Sequence, residues 1–495
     1  MQRIRSLYAT FSNTEKRYLN AWLETFHSRG ENYPLALIRL IGKNPGITKS
    51  EASEKLYGDP KSKAFSMMKS RLYDKMMDVL MSSINLSNLA ENRFSDLETS
   101  RLILKKQEIQ AIILNSRGLK DQLEDLAKRS EKLAFEYDLP VDRIEALSWL
   151  RQLQSQVHSD QVEGTRKTIE SSIEIFRGDM AGLNFMDEFR MKFAGSSRVE
   201  ATREYLEKAI PELARIGKES GSPVASYSLL LFQVHYYNLL RDYRQCREAI
   251  DGLLALNARH KRYNTDWSYG QSYMHLGMLE MVHHHLPEAA AAIEKALSRF
   301  VTGNRNRPIT LVVFVFVLIH QGKLKPALQR ILEIRQDSYV EPMSFNWAMS
   351  YYQEACIAFI ERDFSKTWKL LNRVTGLEFD KSGWMNGVRI FEIMTLIELN
   401  ESDLAATRLE SLRKHQKKYS PDNRSKKIFE VLNAMQKVMF NFRKLEAETL
   451  LVNDLLADRE WKIAGHETIR FDKWFCHHLD KEKTNWESLF QPEPG

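Results

Sequence analysis

The chain has 495 residues, of which 43% are hydrophobic and 28% charged. This balance is ordinary for a soluble folded protein and excludes wholesale disorder. Glycine and proline are scarce, with 21 and 13 residues, and because turns between strands need both often, their scarcity favours an all-α fold.

The net charge of +7 is unevenly distributed. Residues 1–85 contain 14 lysines and arginines against 8 acidic residues, a balance of +6. The rest of the chain has 58 basic against 57 acidic residues. A basic excess confined to one module suggests an anionic partner or a solvated basic surface there.

Residues 1–85 form a module of their own. Apolar spacing predicts helices over Thr10–Phe26, Pro34–Ile41, Thr48–Leu56 and Ser62–Met81. Thr48 followed by Glu51 is a capping box at the start of the third helix. Turns are predicted at Asn44-Pro45-Gly46 and Gly58-Asp59-Pro60.

This order of helices and turns resembles a helix-turn-helix or winged-helix unit, which implies DNA binding. The candidate phosphate-binding residues on the last helix are Lys61, Lys63, Lys69, Arg71 and Lys75. They flank the apolar stripe on both sides and do not form one basic face. The other interpretation is a cap that covers the first exposed hairpin of the following array.

From residue 86 to residue 420 one pattern recurs: a small residue is followed by apolar residues four and seven positions later. The eight instances, roughly 40 residues apart, are Ser130/Ala134/Tyr137, Ile169/Ile173/Phe176, Ala209/Leu213/Ile216, Ala249/Leu253/Leu256, Ala289/Ile293/Ala296, Ala327/Ile331/Ile334, Thr367/Leu371/Val374 and Ala405/Leu409/Leu412. These spacings place three side chains on one helix face. A hairpin cannot bury such a stripe alone, so we expect stacked hairpins.

The best single unit has Tyr273 and Leu276-Gly277 in its first helix and Ala289, Ile293 and Ala296 in its second. It resembles a tetratricopeptide repeat (TPR). The resemblance covers roughly residues 95–420 and implies an α-α superhelix, a solenoid of about eight hairpins. Two features depart from the family: the longer period, and Glu280 where a large apolar residue is usual.

In TPR proteins the first helices line a concave groove for a peptide or partner helix, so the resemblance implies binding rather than catalysis. The candidate groove residues are Asn238, Arg241, Gln271, Met274, Met278 and Tyr352. Methionine and tyrosine suit adaptable apolar contact, and asparagine and arginine suit a peptide backbone or carboxylate. The alternative is that all six are helix-packing residues.

Residues 421–495 are expected to cap the last unit. Lys426–Leu456 reads as a long amphipathic helix, and Gln491–Gly495 as a disordered tail. Between them, aromatic and aliphatic residues are expected to seal the array: Trp461, Ile469, Phe471, Trp474, Phe475 and Trp486.

Metal and catalytic motifs are weak. His283-His284-His285 falls on a turn, where adjacent residues rarely converge on one ion. A looser group, His466, Cys476, His477 and His478, lacks zinc-ligand spacing. With no phosphate loop or nucleophile motif, we expect no enzyme, no cofactor and no metal.

The compartment follows from two features. Three scattered cysteines, Cys246, Cys356 and Cys476, give no disulfide framework, which favours the cytoplasm. The longest apolar run, Ile309–Ile319, is shorter than the roughly 20 residues of a membrane span, so we expect a buried helix and no membrane association. The favoured function is a cytoplasmic protein-interaction scaffold, and the alternative is a DNA-binding regulator whose array senses a peptide or protein.

Overall fold

The computed structural model describes residues 1–25, 32–83, 95–157, 160–193, 199–301, 304–377, 383–419, 423–437, 440, 467–479 and 486–489. In these ranges the chain is all-α, with helices and no strand. The first six helices are α1 (Gln2–Thr10), α2 (Asn13–Thr25), α3 (Tyr33–Lys43), α4 (Lys49–Tyr57), α5 (Lys63–Ser83) and α6 (Asp96–Ser116).

The remaining helices follow in close succession. They are α7 (Lys120–Glu136), α8 (Pro140–Gln156), α9 (Val162–Phe193), α10 (Val199–Ser220), α11 (Pro223–Leu240), α12 (Tyr243–Arg259), α13 (Asp266–Val282), α14 (Leu286–Arg299), α15 (Asn306–His320), α16 (Leu324–Gln336), α17 (Phe345–Ile360), α18 (Phe364–Leu371), α19 (Trp384–Glu398), α20 (Ser402–Tyr419), α21 (Asn423–Lys437), α22 (Phe471–Leu479) and a short 3-10 helix (Trp486–Leu489).

The chain divides into two compact units, Met1–Lys106 and Gln107–Gly495. The first contains α1 to α5, and its apolar core is built around Leu19, Leu37 and Phe65. The four helices predicted here are confirmed, and Thr48 and Glu51 form the expected capping box. The sequence analysis did not predict α1, a nine-residue helix whose Ile4 is buried and whose Leu7 and Tyr8 pack, partly buried, against the same core.

In the second unit each described helix from α7 to α21 packs against the next one along the chain. First helices of successive hairpins also meet, as α13 does with α15 and α15 with α17. The apolar run Ile309–Ile319 lies on α15, whose residues from Thr310 to His320 are all buried. In the part of the chain that the structure describes, no helix is long and apolar enough to cross a bilayer.

The predicted apolar stripes lie on the second helices and are buried where the pattern is regular. Every stripe residue on four helices is at most 9% exposed: Ala249/Leu253/Leu256 on α12, Ala289/Ile293/Ala296 on α14, Ala327/Ile331/Ile334 on α16 and Ala405/Leu409/Leu412 on α20. Full burial of one leucine or isoleucine contributes about 1.5–3 kcal/mol. The irregular stripe that begins at Ile169 is only half-buried.

The second and third predicted units are not separate hairpins. The stripe at Ile169 lies on α9, which continues unbroken for 32 residues to Phe193. The same helix then packs against α10, which carries Ala209, and against α11. One long helix therefore serves two predicted units, because no proline or turn sequence interrupts residues 162–193.

The turns inside the hairpins repeat one backbone geometry. A residue with positive φ follows the first helix at Arg241, His284, Gly322, Arg362 and Asn400. In each case the next amide donates to a carbonyl five residues earlier, as His285 does to Glu280 at 2.8 Å. This Schellman-type ending satisfies helix carbonyls that otherwise lack partners. Its recurrence roughly every 40 residues is a second, backbone-level repeat.

One long-range contact joins elements that are distant in the sequence. The loop after α12 reaches the turn between α7 and α8, where His260 Nδ1 lies 3.1 Å from Asp138 Oδ2. Arg262 donates to the Asp138 carbonyl at 2.9 Å and to Asp179 Oδ2 of α9 at 2.7 Å. Ser222 donates to the other oxygen of this buried carboxylate at 2.6 Å. These helices are thus tied together beyond neighbour contacts.

Close helix approach explains the glycine of the Leu276-Gly277 pair. A Cβ atom added to Gly277 would lie 2.4 Å from Ile293 Cγ1 and 3.3 Å from the Ala289 carbonyl oxygen. Both residues belong to the stripe of α14 and are fully buried. The missing side chain therefore allows α13 and α14 to pack at this short distance.

We expect Gly277→Ala to lower the free energy of unfolding by about 1–3 kcal/mol, because a buried β-branched neighbour must move to admit the methyl group. Gly164→Ala on α9 is the matched control, since its Cβ would meet nothing within 4 Å. That change should be neutral or stabilise the helix by about 0.5–1 kcal/mol. Urea unfolding of the full chain measures both, and equal effects would contradict the close approach.

Candidate functional site

The C-terminal residues 467–479 and 486–489 pack across the first helices α17 and α19. Trp474, Phe471, Phe475 and Leu489 are at most 1% exposed and belong to the same core cluster as those helices. This is the face on which a TPR groove was predicted, and Tyr352 lies within it at 0% exposure. The chain therefore fills its own predicted groove at this end.

Polar contacts fix the C-terminal residues in place. The indole of Trp474 donates to Glu398 Oε1 at 2.6 Å, and the indole of Trp486 donates to the Ile360 carbonyl at 2.8 Å. The Trp486 ring stacks on Phe359 with centroids 5.6 Å apart. Each indole thus satisfies its donor while its ring displaces water from a helix face.

A buried ion network joins the same residues to α21. Arg424 donates to both oxygens of Glu467, at 2.5 and 2.8 Å, and lies 3.3 Å from Asp472. Arg470 donates to both oxygens of Asp472, at 3.0 and 2.6 Å. Burial raises the pKa of the Glu467 carboxyl, and the hydrogen bonds from Arg424 oppose that rise. Bidentate pairs of this kind impose one geometry on the segment.

The six candidate groove residues do not share one environment. Asn238 and Arg241 are exposed at the end of α11. Met274 is buried against Phe300, while Met278 is half-buried. The remaining two are Gln271, which accepts a hydrogen bond from Tyr227 at 3.0 Å, and the fully buried Tyr352.

Only Asn238 and Arg241 of the six are therefore open to a partner in this conformation. The sequence predicts all six for the groove face but does not show that residues 467–479 and 486–489 return to cover α17. A partner-binding role for these six residues stays a prediction.

The contacts of Glu280 explain why an acidic residue can stand where the TPR pattern has a large apolar residue. Its carboxylate is 3% exposed and accepts hydrogen bonds from the Tyr243 hydroxyl at 3.0 Å and Arg247 at 2.8 Å. His285 Nδ1 lies 2.7 Å from its second oxygen. The site thus joins α12, α13 and the start of α14 by polar contacts where the family uses an apolar side chain.

Two neighbouring histidines lie close to arginines. Burial lowers the pKa of His283, and the charges of His285 and Arg241 lower it further, while the Glu280 carboxylate opposes the shift. Burial also lowers the pKa of His284, with Arg470 of the C-terminal segment contributing. Both histidines are therefore held neutral, and the positive charge of this region comes from the two arginines.

The two possible metal groups are not supported as metal sites. His285 is engaged by Glu280, and His478 lies 2.6 Å from Glu398. In the described ranges no group of three or more histidine, cysteine or acidic residues is placed to hold an ion. His466 lies outside the described residues.

The basic residues of the first unit differ in their surroundings. Lys61, Lys63 and Arg71 are exposed, and Lys69 is half-buried. Lys75 is held 3.4 Å from Asp78 and 4.7 Å from the centre of the Trp22 ring. The predicted set therefore divides into residues facing solvent and residues with a structural contact.

No protein-family model matches the chain, and no curated protein is significantly similar to it. The helical-repeat interpretation therefore rests on the packing of consecutive helices and on the repeated turns. Among the described surfaces, the arrangement offers exposed cations near a closed groove, and such groups bind anionic side chains or phosphates.

We expect Glu280→Gln to lower the free energy of unfolding by about 1–3 kcal/mol, because charge-assisted hydrogen bonds from Arg247 and His285 are lost in a buried site. Glu248→Gln on α12 is the control, since Glu248 pairs with the exposed Arg244. That change should stay within about 0.5 kcal/mol. Chemical unfolding of both variants checks this, and a neutral Glu280→Gln would refute the role given to the network.

Two histidines, the buried His275 and the half-buried His235, predict how stability depends on pH. Burial lowers the pKa of His235 to about 4, and burial together with the nearby His235 lowers that of His275 to about 3. Because the unfolded chain takes up protons first, each histidine should reduce the free energy of unfolding by about 1.4 kcal/mol per pH unit as pH falls below about 6.5. This decrease in the free energy of unfolding should stop once the pH is below the pKa of each histidine in the folded protein.

Urea unfolding at several pH values between 7 and about 4.5 tests this expectation on the full chain. As the pH falls, the free energy of unfolding of the His275→Leu variant should decrease less steeply than that of the unmodified protein. All other titrating groups are common to both proteins, so the difference in slope isolates His275. Parallel curves would show that His275 is not held neutral by burial.

Proposed function

We propose that this protein is a non-catalytic interaction scaffold, built as a TPR-like solenoid of about eight hairpins, that binds an acidic segment of a protein partner. The observation that carries the proposal is the exposed Arg241 guanidinium, which has no carboxylate partner among the described residues. No disulfide joins the three cysteines, and Cys246 and Cys356 are buried, which fits a reducing compartment such as the cytoplasm.

The TPR-like architecture is supported by three features of different kinds. The small-residue stripes are buried on alternate helices, the left-handed turns recur with the same period, and α13 approaches α14 closely at Gly277. Together they describe one hairpin repeated along the chain. An array of this kind presents an extended surface suited to binding another chain.

The helix faces that the chain's own C-terminal residues cover guide where a partner is proposed to bind. Residues 467–479 and 486–489 pack against α17 and α19, which favours the earlier first helices as the site for a partner. There Asn238 and Arg241 are exposed, and no carboxylate lies within 4 Å of Arg241 among the described residues. An arginine guanidinium binds carboxylates in a bidentate manner, and an asparagine amide can hold a peptide backbone.

Short fluorescein-labelled glutamate-rich peptides, with glutamine-substituted counterparts, provide the test by fluorescence anisotropy on the full chain. We expect the acidic peptides to bind, and Arg241→Glu to weaken binding at least about tenfold by replacing attraction with repulsion. Binding should weaken with added salt because the contact is partly exposed.

Arg244→Glu is the matched control, because Arg244 lies three residues away on α12 and its side chain is 88% exposed beside Glu248. It changes the net charge equally but should alter affinity less than about twofold. Equal losses in the two variants would mean nonspecific charge attraction. Binding of the glutamine peptides as tightly as the acidic ones would contradict recognition of carboxylates.

A further inference from the structure

The first unit carries a surface that the proposed scaffold function does not use. Helices α3, α4 and α5 pack against one another, and α4 ends at Gly58, a glycine with φ of 70° that allows the sharp turn. Three helices joined by two short turns are the framework on which helix-turn-helix proteins present their last helix to a nucleic acid.

The outer face of α5 is cationic in its first half. Phe65 and Leu72 point into the core at 0% and 1% exposure, so the opposite side of the helix faces solvent. There Lys63, Met67 and Arg71 are exposed. Four-residue spacings place these three side chains in a row along one side of the helix.

These cations are not neutralised by the protein. Among the described residues no carboxylate forms an ion pair with the side chains of Lys61, Lys63 or Arg71. Asp59 accepts a hydrogen bond from the Lys61 backbone amide at 2.9 Å, and the acidic residues of α5, Asp74 and Asp78, come only after them. Surface cations in proteins are commonly paired along their own helix. Here the pairing is confined to the second half of α5.

A second group of cations flanks the helix. Arg5 donates to the Pro45 carbonyl at 2.9 Å, in the turn before α4, and Lys49 is the first residue of that helix. Helix α1, which carries Arg5, also packs against α5, which carries Lys69. The sequence reading missed Arg5 and Lys49, which lie on two other helices.

We propose that this surface binds duplex DNA, with the first turns of α5 in the major groove, Lys63 and Arg71 on the phosphates that border the groove, and Arg5, Lys49 and Lys69 on the neighbouring backbone. An α-helix about 10–12 Å wide fits a major groove about 12 Å wide. The deep and narrow major groove of double-stranded RNA does not admit a helix, so the geometry selects B-form DNA. The exposed cations match the phosphate charge.

Anisotropy of a fluorescein-labelled mixed-sequence DNA duplex, titrated with the full chain at several salt concentrations, tests the proposal. We expect Lys63→Glu/Arg71→Glu to weaken binding at least about tenfold at low salt and to reduce the salt slope by about two, because each lost phosphate contact removes about 0.9. The neutral pair Lys63→Gln/Arg71→Gln should lie between this variant and the unmodified protein.

Arg17→Glu/Arg39→Glu is the matched control. It changes the net charge of the same unit equally at exposed positions on α2 and α3, and should weaken binding less than about threefold. Far-UV circular dichroism confirms that each variant is folded. An equal loss in the control, no binding to the duplex at low salt, or equal affinity for single-stranded DNA or double-stranded RNA would each overturn the proposal.

The proposal of DNA binding can be tested independently of the proposal of acidic-peptide binding. Arg241→Glu lies in the second unit and should leave affinity for the duplex unchanged, while Lys63→Glu/Arg71→Glu should leave peptide binding unchanged. If instead Arg241→Glu reduces DNA affinity as strongly as the α5 variants do, the duplex is not bound by the surface around α5.

Discussion

The second unit depends on the mutual burial of small-residue stripes between neighbouring helices. A stripe such as Ala289/Ile293/Ala296 is fully buried only because the preceding helix and the next hairpin lie against it. Where the stripe begins with alanine and Gly277 lies opposite, the helices approach closely. The same constraint makes α15 buried on every side, and so produces the longest apolar run in the sequence.

Most of the fold could be predicted because it depends on the spacing of residues that are close together in the sequence. Helix period, capping residues and the small-residue stripes are properties of adjacent positions, and the structure confirms the all-α chain and its sequential packing. Two errors have local causes. Helix α1 has only nine residues, too few for the spacing of Ile4, Leu7 and Tyr8 to stand out as a period, and α9 joins two predicted units because residues 162–193 contain no helix-breaking turn.

The candidate site was harder to predict because it depends on contacts between distant residues. Tyr352 was placed on the correct helix, but its burial by residues 467–489 cannot be inferred from its neighbours in sequence. Glu280 was noticed as an anomaly, yet its partners Tyr243 and Arg247 lie on another helix. The grouping of Arg5 with Lys49 likewise arises only when three helices pack together.

The return of residues 467–479 and 486–489 to α17 and α19 has a consequence for biosynthesis. A ribosome delivers the chain from its N-terminus, so the hairpins up to α20 emerge before the segment that covers them. Until synthesis reaches Trp486, the nascent chain bears a large uncovered aromatic face around Phe359 and Phe391. Exposed surfaces of this kind are what chaperones recognise, and premature termination would leave this one permanently open.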